Sequence, residues 1–376
     1  MTTTATSPLT EPNPLGARVF NFSAGPAVLP EEVLETARQD LWNIGGSGVG
    51  VLEHSHRGPV ISRILEEAEA DCRALAGIGE DHAVLFLQGG ASLQFAMVPM
   101  SFLGADQTAD YLDTGSWTNK AITEAKQLGT VNVAFDGSRS SYDHVPGDDE
   151  LALSDGAAYS YYCDNNTIYG TEFPRPPATG SPLVCDASSN IFSRPLDVSR
   201  HALIFAGAQK NLGPAGCTLV IIRKDFLERT RDGLPSMLDY RQHAEKGSRL
   251  NTPPVFAIYV MGLVFKWIRR QGGVEALATL NREKARIVYD AIDGSGGFYR
   301  PVARADSRSN MNVTFRTPSE ALDEKFVEKA KERDLVGLKG HRSVGGLRAS
   351  IYNAFPRAGC EALASFMREF AAKDRD

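Results

Sequence analysis

A single lysine, Lys210, lies in a glycine-rich turn between two apolar segments, and this is where the sequence is best suited to carry chemistry. Residues 202–206 and 217–222 are short, apolar and partly β-branched, which predicts two buried strands. Burial disfavours the ammonium form of lysine and lowers its pKa, so the free amine can attack a carbonyl carbon. The alternative is an ordinary turn lysine that reaches solvent.

A carboxylate upstream of Lys210 extends this interpretation. Residues 181–186 predict a short strand that ends at Asp186, and ligands of open α/β sheets gather at the carboxyl ends of strands. An aspartate there can keep the ring nitrogen of pyridoxal phosphate protonated, while Lys210 forms a Schiff base with the aldehyde of that cofactor. The two residues together favour this chemistry, although Asp186 could alternatively be a turn or N-cap residue.

Two predicted helix starts could hold a phosphate. Residues 83–88 predict a buried strand that runs into Gly89-Gly90 and a helix over 93–100, although a plain strand-to-helix connection has the same pattern. Farther along, Thr252 is predicted to be the N-cap of a long apolar helix whose first residue is Pro253. A helix N-terminus presents free backbone N–H groups, so each start suits an anion.

Basic side chains form a third set of candidates. The sequence contains two His-Arg pairs, His56-Arg57 and His341-Arg342, and in addition Arg348. Guanidinium groups bind carboxylates and phosphates through paired hydrogen bonds, so this set suits a ligand with an α-carboxylate and a second anionic group. Surface ion pairs are the alternative for each arginine.

Several motifs closely resemble those of the phosphoserine aminotransferase family. Members of this family are pyridoxal-phosphate enzymes of fold type I and aminotransferase class V. The resembling segments are 21–26 (Asn-Phe-Ser-Ala-Gly-Pro), 55–58 (Ser-His-Arg-Gly), 186–200, 206–216, 251–254 (Asn-Thr-Pro-Pro) and 339–353. The similarity runs from about Phe20 to the C-terminus. The motifs are long and follow one another in order, which argues against chance.

The resemblance implies a set of cofactor-binding residues. Lys210 would hold the cofactor and then move a proton of the substrate, and Asp186 would face the ring nitrogen. Residues 109–117 predict a strand that enters a loop, and Trp117 at its end would stack on the ring, although a lone tryptophan is alternatively a core residue. The other implied contacts, most of them near the phosphate, are Ala91, Ser92, Thr167, Gln209, Asn251 and Thr252, with the last two supplied by the neighbouring subunit of a homodimer with shared active sites.

The resemblance also implies the substrates and the residues that bind them. Glutamate would donate its amino group and 3-phosphohydroxypyruvate would accept it, and a role in pyridoxine biosynthesis is a further expectation. Arg348 is assigned to the α-carboxylate and Arg57, beside His56, to the distal anionic group. His341 and Arg342 complete the set, and we expect their loop to act across the dimer interface. The alternatives are an alanine–glyoxylate aminotransferase, a cysteine desulfurase or a non-catalytic pyridoxal-phosphate-binding protein.

Two residues depart from the pattern of the family. Ala24 stands where some members carry a serine that contacts the substrate, and Ser92 stands where some members place an arginine that helps to hold the substrate phosphate. Neither residue supplies the group that those members use. We therefore expect phosphate binding to depend more strongly on His341 and Arg342.

Composition excludes several classes of protein. The net charge is −6 with both signs interspersed, which gives no basic stripe for nucleic acid. Five widely spaced cysteines show no metal-ligand spacing, and no segment is apolar over the length of a membrane span. The N-terminus lacks the features of a secretory signal, so we expect a cytoplasmic protein.

The order of predicted elements indicates an α/β fold. We expect a mainly parallel sheet of the seven-stranded type, flanked by helices, in a large pyridoxal-phosphate-binding domain over 31–270. A smaller α+β domain would combine 18–30 with 271–376, which follows a change of composition near Arg270. Residues 1–17 are predicted to be a disordered tail.

Overall fold

The computed structural model describes residues 18–374, so the tail predicted for residues 1–17 lies outside the described residues. The strands are β1 Phe20–Asn21, β2 His82–Gln88, β3 Thr108–Asp113, β4 Thr130–Asp136, β5 Ser160–Cys163, β6 Asn165–Asn166, β7 Thr171–Glu172, β8 Leu183–Asp186, β9 Leu203–Gly207, β10 Cys217–Arg223, β11 Arg300–Pro301, β12 Asn312–Arg316, β13 Leu335–Val336 and β14 Leu347–Ser350. The α-helices are α1 Glu31–Asp40, α2 Pro59–Ala76, α3 Ala91–Phe102, α4 Ser116–Ala125, α5 Lys224–Leu227, α6 Tyr240–Glu245, α7 Val255–Arg270, α8 Gly273–Asp293, α9 Glu320–Lys331 and α10 Arg357–Lys373.

One seven-stranded sheet organises the larger part of the molecule, with the strand order β2-β10-β9-β8-β5-β3-β4. The strands from β9 to β4 pair in parallel, whereas β10 pairs antiparallel with both β2 and β9. It follows that β2 points the same way as the parallel strands and that β10 alone runs against them. The predicted α/β fold with a mainly parallel sheet is confirmed.

Both faces of this sheet are covered by helices, which explains why its central strands are apolar throughout. Along β9, Leu203 and Phe205 pack on one face with residues of α3, α4 and α6. Ile204 and Ala206 pack on the other face with residues of α1, α2 and α7. All the residues of β8 and β9 are buried. The sheet therefore forms a fixed platform for the loops at its edges.

Most of the elements expected around the site are present, but two details of the prediction were wrong. Helix α7 begins at Val255 with Pro254 as its N-cap, so Thr252 is not the cap and Pro253 is not helical. A residue that precedes a proline is pushed out of the α region, so Pro253, which precedes Pro254, cannot be helical. The helix therefore starts later than predicted, and Thr252 lies too far upstream to be its cap. Trp117 lies in the first turn of α4 and not in a loop.

A second, smaller core lies in the C-terminal part of the chain. It contains an antiparallel sheet in the order β11-β12-β14 and the parallel pair β1–β13, packed against α8, α9 and α10. Phe22 belongs to this core, whereas Val33 packs in the core of the large sheet. The predicted division into domains, 31–270 against 18–30 plus 271–376, stays a prediction beside this separation of the two cores. Helix α8 joins them, because Leu277 packs in the first core and Val288 in the second.

The ammonium group of Lys284, on α8, anchors the segment that follows β14. This side chain is fully buried, and its Nζ donates hydrogen bonds to the carbonyl oxygens of Ile351, Tyr352, Asn353 and Phe355 at 2.7–3.4 Å. A buried ammonium is tolerated only where such acceptors surround it.

Within residues 18–374, no helix combines the length and the apolar character that crossing a membrane requires.

We predict that Lys284→Met lowers the free energy of unfolding by about 2–3 kcal/mol, because it leaves buried carbonyl groups without their donor. Urea unfolding monitored by circular dichroism measures the change. Lys246→Met is the matched control, because Lys246 is exposed and pairs only with its neighbour Glu245. The control should change stability by less than about 1 kcal/mol. Equal losses in the two variants would contradict an anchoring role for Lys284.

Candidate active site

The carboxyl ends of strands from the large sheet meet at one edge, and the candidate site lies there. The strands β2, β3, β5, β8 and β9 point in the same direction, so the segments that follow them emerge side by side. Ser92 follows β2, Trp117 follows β3 and Thr167 follows β5. Asp186 is the last residue of β8, and Lys210 follows β9. Residues that are far apart in the sequence are thus placed on one rim.

Lys210 occupies the turn between β9 and β10. Its Nζ donates a hydrogen bond to Thr167 Oγ1 at 2.6 Å and lies 5.5 Å from the ring centroid of Trp117. Burial lowers the pKa of Lys210, and this effect outweighs the opposing influence of the Asp186 carboxylate. A lysine with a lowered pKa retains more of the neutral amine near neutral pH, which is the form that reacts with carbonyl groups.

Asp186 is the last residue of β8 and is 4% exposed. Its Oδ1 accepts a hydrogen bond from the backbone N–H of Ser188 at 2.9 Å, and Ser188 Oγ accepts one from the N–H of Gly207 at 3.0 Å. Burial raises the pKa of Asp186, although the positive charge of Lys210 opposes the rise. A second cation placed against this carboxylate would favour its ionised form. The protonated ring nitrogen of pyridoxal phosphate is such a cation.

The start of α3 provides a place for a phosphate. The helix begins at Ala91, and its N-cap, Gly90, contributes no side-chain hydrogen bond, so the first N–H groups have no partner within the helix. Ser92 is exposed in this first turn. In the turn after β9, the side chain of Gln209 folds back over Gly207, where a Cβ atom would lie 2.8 Å from Gln209 Oε1. Glycine at position 207 thus makes room for Gln209.

Trp117 shares its surroundings with a cation that the sequence analysis missed. The Nζ of Lys120 lies 4.6 Å from the ring centroid of Trp117, one helical turn along α4. Residues three apart on a helix are neighbours, so the sequence could have indicated the contact between Trp117 and Lys120. It did not, because Trp117 was predicted to lie in a loop. The Nε1 of Trp117 is buried without a hydrogen-bond partner in the described part of the chain.

Arg348, on β14, brings an uncompensated charge into the site. Its Nη1 donates a hydrogen bond to the backbone carbonyl of Thr167 at 3.3 Å, while its Nε is buried and has no partner among residues 18–374. Burial lowers the pKa of this guanidinium. None of the ion pairs in the described structure involves Arg348, so the geometry leaves it available to an anionic ligand.

The loop that carries His341 and Arg342 lies near Arg348 of its own chain. The hydrogen bond from Gly340 N to Gly346 O, 2.8 Å long, ties the loop to the start of β14. Desolvation lowers the pKa of His341, and the positive charges of Arg348, Arg342 and Lys120 lower it further. The structure therefore places His341 near Arg348 of the same chain, and the expectation that this loop acts across a dimer interface stays a prediction.

Four other predicted residues are not joined to Lys210. His56 and Thr252 line one surface concavity together with Pro214, while Arg57 and Asn251 are exposed beside them in the sequence. No hydrogen bond, ion pair or cation–π contact in the described structure links any of the four to Lys210. His56 and Thr252 are therefore brought together on one surface, without a contact to the lysine of their own chain in the described residues.

The residues present fit pyridoxal phosphate. A lysine with a lowered pKa, a buried carboxylate, an aromatic ring and an uncapped helix N-terminus lie around the same sheet edge. These are the groups that the aldehyde, the ring nitrogen, the ring face and the phosphate of the cofactor require.

Comparison with known proteins agrees with this chemistry. Residues 19–363 match the family model Aminotransferase class-V. A phosphoserine aminotransferase of Desulfotalea psychrophila is 53% identical over 357 residues, which cover 95% of this chain and 99% of that protein. One of Herpetosiphon aurantiacus is 51% identical over 356 residues, which cover 94% of this chain and 99% of the relative.

Solved structures give the same result. Phosphoserine aminotransferase from Bacillus circulans subsp. alkalophilus superposes with a TM-score of 0.93 at 49% identity, over 95% of this chain and 99% of that one. The pyridoxal-phosphate-bound enzyme from Trichomonas vaginalis superposes with a TM-score of 0.89 at 43% identity, over 93% of this chain and 100% of that one.

We predict that the purified protein is yellow and that borohydride fixes the cofactor to Lys210, because this lysine has a lowered pKa and faces Trp117. Peptide mapping by mass spectrometry after reduction identifies the labelled residue. Lys210→Ala should lose both the colour and the label, whereas Lys246→Ala, at an exposed position, should keep both. Label on another lysine in the unaltered protein would contradict the assignment.

Proposed function

The chain belongs to the phosphoserine aminotransferases of aminotransferase class V, and from this premise we propose how its residues carry out the reaction. The enzyme uses pyridoxal phosphate to transfer the amino group of glutamate to 3-phosphohydroxypyruvate. The products are 2-oxoglutarate and 3-phosphoserine, so the reaction serves serine biosynthesis.

One observation carries the proposal for substrate binding. Arg348 is largely buried beside Thr167 with an unpartnered Nε, and it forms no ion pair within residues 18–374. A buried charge without a partner costs several kcal/mol, and a bound carboxylate would offset that cost through two hydrogen bonds. Every amino and oxo acid in the reaction has an α-carboxylate. We therefore assign Arg348 to this group.

Pyridoxal phosphate, when bound, supplies an electron sink for cleavage of the bond between the substrate α-carbon and its hydrogen. Lys210 would hold the cofactor and, once released, would carry the proton that leaves the α-carbon. Asp186 would pair with the protonated ring nitrogen, and Trp117 would cover one ring face. The first turn of α3, at Ala91 and Ser92, and the side chain of Gln209 would hold the phosphate, and Thr167 would hydrogen-bond the ring hydroxyl or the phosphate region.

The distal anionic group of each substrate needs a second set of cations. Arg348, Arg342 and Lys120 lie close enough to His341 for their positive charges to lower its pKa. A phosphate carries more charge than a carboxylate, so binding it would offset more of this mutual repulsion. Some members of the family have an arginine at the position of Ser92, and serine carries no positive charge. We propose that Lys120 provides part of the charge that this arginine supplies in those members.

We propose that the enzyme is a homodimer in which Asn251, Thr252, His56 and Arg57 complete the site of the partner subunit. The support is geometric: His56 and Thr252 line one concavity, and neither contacts the Lys210 of the same chain. The loop from 341 to 346 lies near Arg348 of its own chain, and its expected contribution to the partner's site stays a prediction. The expected cytoplasmic location remains part of this proposal.

A cysteine desulfurase is less consistent with the structure. Such an enzyme needs a mobile, accessible cysteine as its nucleophile. All five cysteines of the chain are buried. Burial also raises the pKa of each thiol.

We expect the purified enzyme to convert glutamate and 3-phosphohydroxypyruvate into 2-oxoglutarate and 3-phosphoserine, and to prefer phosphoserine strongly to serine in the reverse direction. The preference follows from the cations that surround His341. A coupled assay of 2-oxoglutarate measures the forward rate. Equal kcat/KM for serine and phosphoserine would contradict the proposed phosphate site.

Arg348→Ala should lower kcat/KM for glutamate and for phosphoserine alike, by about 10- to 100-fold, because both substrates lose a charge-assisted partner worth about 1.5–3 kcal/mol. Lys120→Ala should act mainly on phosphoserine, because the charge of Lys120 acts on His341, which we assign to the distal anionic group. Steady-state kinetics with both amino donors separates the two patterns. Arg282→Ala, an exposed arginine on α8, is the control and should leave both values unchanged.

Mixing inactive subunits tests the assignment of Arg57 to the partner's site. A heterodimer of Lys210→Ala and Arg57→Ala chains would have one site with both residues intact, so roughly a quarter of all sites should recover after random exchange. A mixture of Lys210→Ala and Arg348→Ala chains should recover nothing, because Arg348 serves its own subunit. Native mass spectrometry confirms the heterodimers. Recovery only in the second mixture would reverse the assignment.

A further inference from the structure

Asn211, the residue after Lys210, has a buried polar side chain that the scheme above does not use. Asn211 is 6% exposed. Its Oδ1 accepts a hydrogen bond from the backbone N–H of Asn353 at 3.0 Å, and its Nδ2 donates one to the carbonyl oxygen of Ser189 at 3.4 Å. An N–H can only donate and a carbonyl oxygen can only accept, so these two partners fix the orientation of the amide.

The side chain of Asn211 reaches from the large sheet to one end of the small antiparallel sheet. Asn211 lies in the turn between β9 and β10, whereas Asn353 follows β14, the strand that carries Arg348. The Nδ2 of Asn211 also lies 3.7 Å from the Sδ of Met311, which directly precedes β12. Strands β12 and β14 are paired, with Asn312 opposite Ser350. We refer to the contacts of Asn211 with Asn353 and Met311 as the amide bridge.

Other hydrogen bonds hold both ends of the amide bridge in place. On the lysine side, the N–H of Leu212 donates to the carbonyl oxygen of Ala208 at 3.1 Å and closes the turn. On the other side, the Nζ of Lys284 donates to the carbonyl oxygens of Asn353 and its neighbours. Because each end is fixed, the amide bridge sets the spacing between the lysine turn and the segment that follows β14.

This spacing matters for the proton transfer of the proposed reaction. The C–H bond of the substrate α-carbon breaks, its proton passes to the Nζ of Lys210, and its electron pair passes to the bound pyridoxal phosphate. The α-carbon must lie beside Nζ while its carboxylate is bound to Arg348. Lys210 follows a strand of the large sheet and Arg348 lies on a strand of the small sheet. The relative position of the two sheets therefore decides whether both conditions are met.

We propose that Asn211 is a positioning residue that keeps Arg348 at the distance from Lys210 at which the bound substrate can release its proton. This inference rests on the proposed roles of Lys210 and Arg348. The hydrogen bond from Arg348 to the carbonyl oxygen of Thr167, at 3.3 Å, is a second link near the site, but it is made by the group assigned to the substrate. Asn211 has no part in the proposed binding of substrate or cofactor.

Replacement of Asn211 by alanine should leave the protein folded. The lysine turn keeps a backbone link to the segment before α1, because the carbonyl oxygen of Gln209 accepts a hydrogen bond from the N–H of Ala27 at 2.9 Å. The segment after β14 keeps its hydrogen bonds to Lys284. Asn211→Ala therefore loosens the spacing without removing either end.

The first test is kinetic. Asn211→Ala should lower kcat with glutamate about 10- to 100-fold, because a small misplacement of the α-carbon slows proton transfer. The KM for glutamate should change little, since the carboxylate moves with Arg348 and stays bound. With α-deuterated glutamate, the isotope effect on kcat should rise, because proton transfer becomes more strongly rate-limiting.

Two further measurements do not depend on turnover. In Asn211→Ala the N–H of Asn353 loses its acceptor, so hydrogen exchange followed by mass spectrometry should show faster exchange in the peptide that contains it. The rate at which apoenzyme captures pyridoxal phosphate, followed by visible absorbance, should stay unchanged, because Lys210 keeps its hydrogen bond to Thr167.

Asn281→Ala is the matched control for loss of a buried amide that contacts Asn353. Asn281, on α8, is 1% exposed and donates to Asn353 Oδ1 at 2.8 Å and to the carbonyl oxygen of Ser193 at 3.0 Å. The control leaves the hydrogen bond between Asn353 N–H and Asn211 intact. It should lower the melting temperature about as much as Asn211→Ala, while kcat, the isotope effect and the exchange of that peptide stay unchanged.

A double-mutant cycle with Arg348→Ala identifies the route of the effect. This change removes the group whose position Asn211 is proposed to set. In that background, Asn211→Ala should have little further effect on kcat/KM for glutamate. An equal effect in both backgrounds would mean that Asn211 acts on Lys210 alone.

Four results would overturn the proposal. They are an unaltered kcat in Asn211→Ala, unaltered exchange of the Asn353 peptide, a loss of kcat of the same size in Asn281→Ala, and an equal effect in the Arg348→Ala background. A slower capture of cofactor by Asn211→Ala would also contradict it. Arg348→Ala with an unaltered kcat/KM for glutamate would contradict the proposed function as well, whereas the other results leave that function intact.

Discussion

The site depends on holding basic groups out of water at one edge of a sheet. Lys210 and Arg348 both have pKa values lowered by burial, and of the two only Lys210 has a nearby carboxylate, Asp186, to compensate it. In the absence of a ligand this arrangement is costly, because buried charge without a partner is poorly solvated. The same cost provides the driving force for binding, since an anionic substrate restores the balance. Lys210 is held by the large sheet and Arg348 by β14 of the smaller one, and the hydrogen bond from Arg348 to the carbonyl of Thr167 joins the two parts.

Much of the fold and of the chemistry could be predicted because its signals are local. The apolar segments on either side of Lys210 became β9 and β10, and Asp186 ends β8 as expected. The start of α7 was mispredicted because Thr252 fits the N-cap preference, but the following prolines prevent a helix from beginning there. The N-cap preference of threonine was overridden by the steric restriction that each proline places on the residue before it. The pair Pro253-Pro254 in the sequence was enough to predict this restriction.

Other features could not be predicted, because they exist only through contacts between distant segments. The grouping of His341 with Arg348 follows from the hydrogen bonds that close the loop onto β14. Thr167 and Arg348 come from different domains of the proposed division, yet Arg348 donates a hydrogen bond to the carbonyl of Thr167. The sequence contained both residues, but nothing in it indicated that they would meet.

The reversed direction of β10 has a consequence for how this chain can change in length. Parallel neighbours need a long crossover between them, and such connections can absorb inserted residues far from the sheet edge. The antiparallel pair β9–β10 is joined instead by residues 208–216 alone, and both ends of this turn are fixed in the middle of the sheet. An insertion here would displace Lys210 itself. Variation in length among related chains should therefore collect in the crossovers after β3 and β4, while the turn that holds the lysine keeps a constant size.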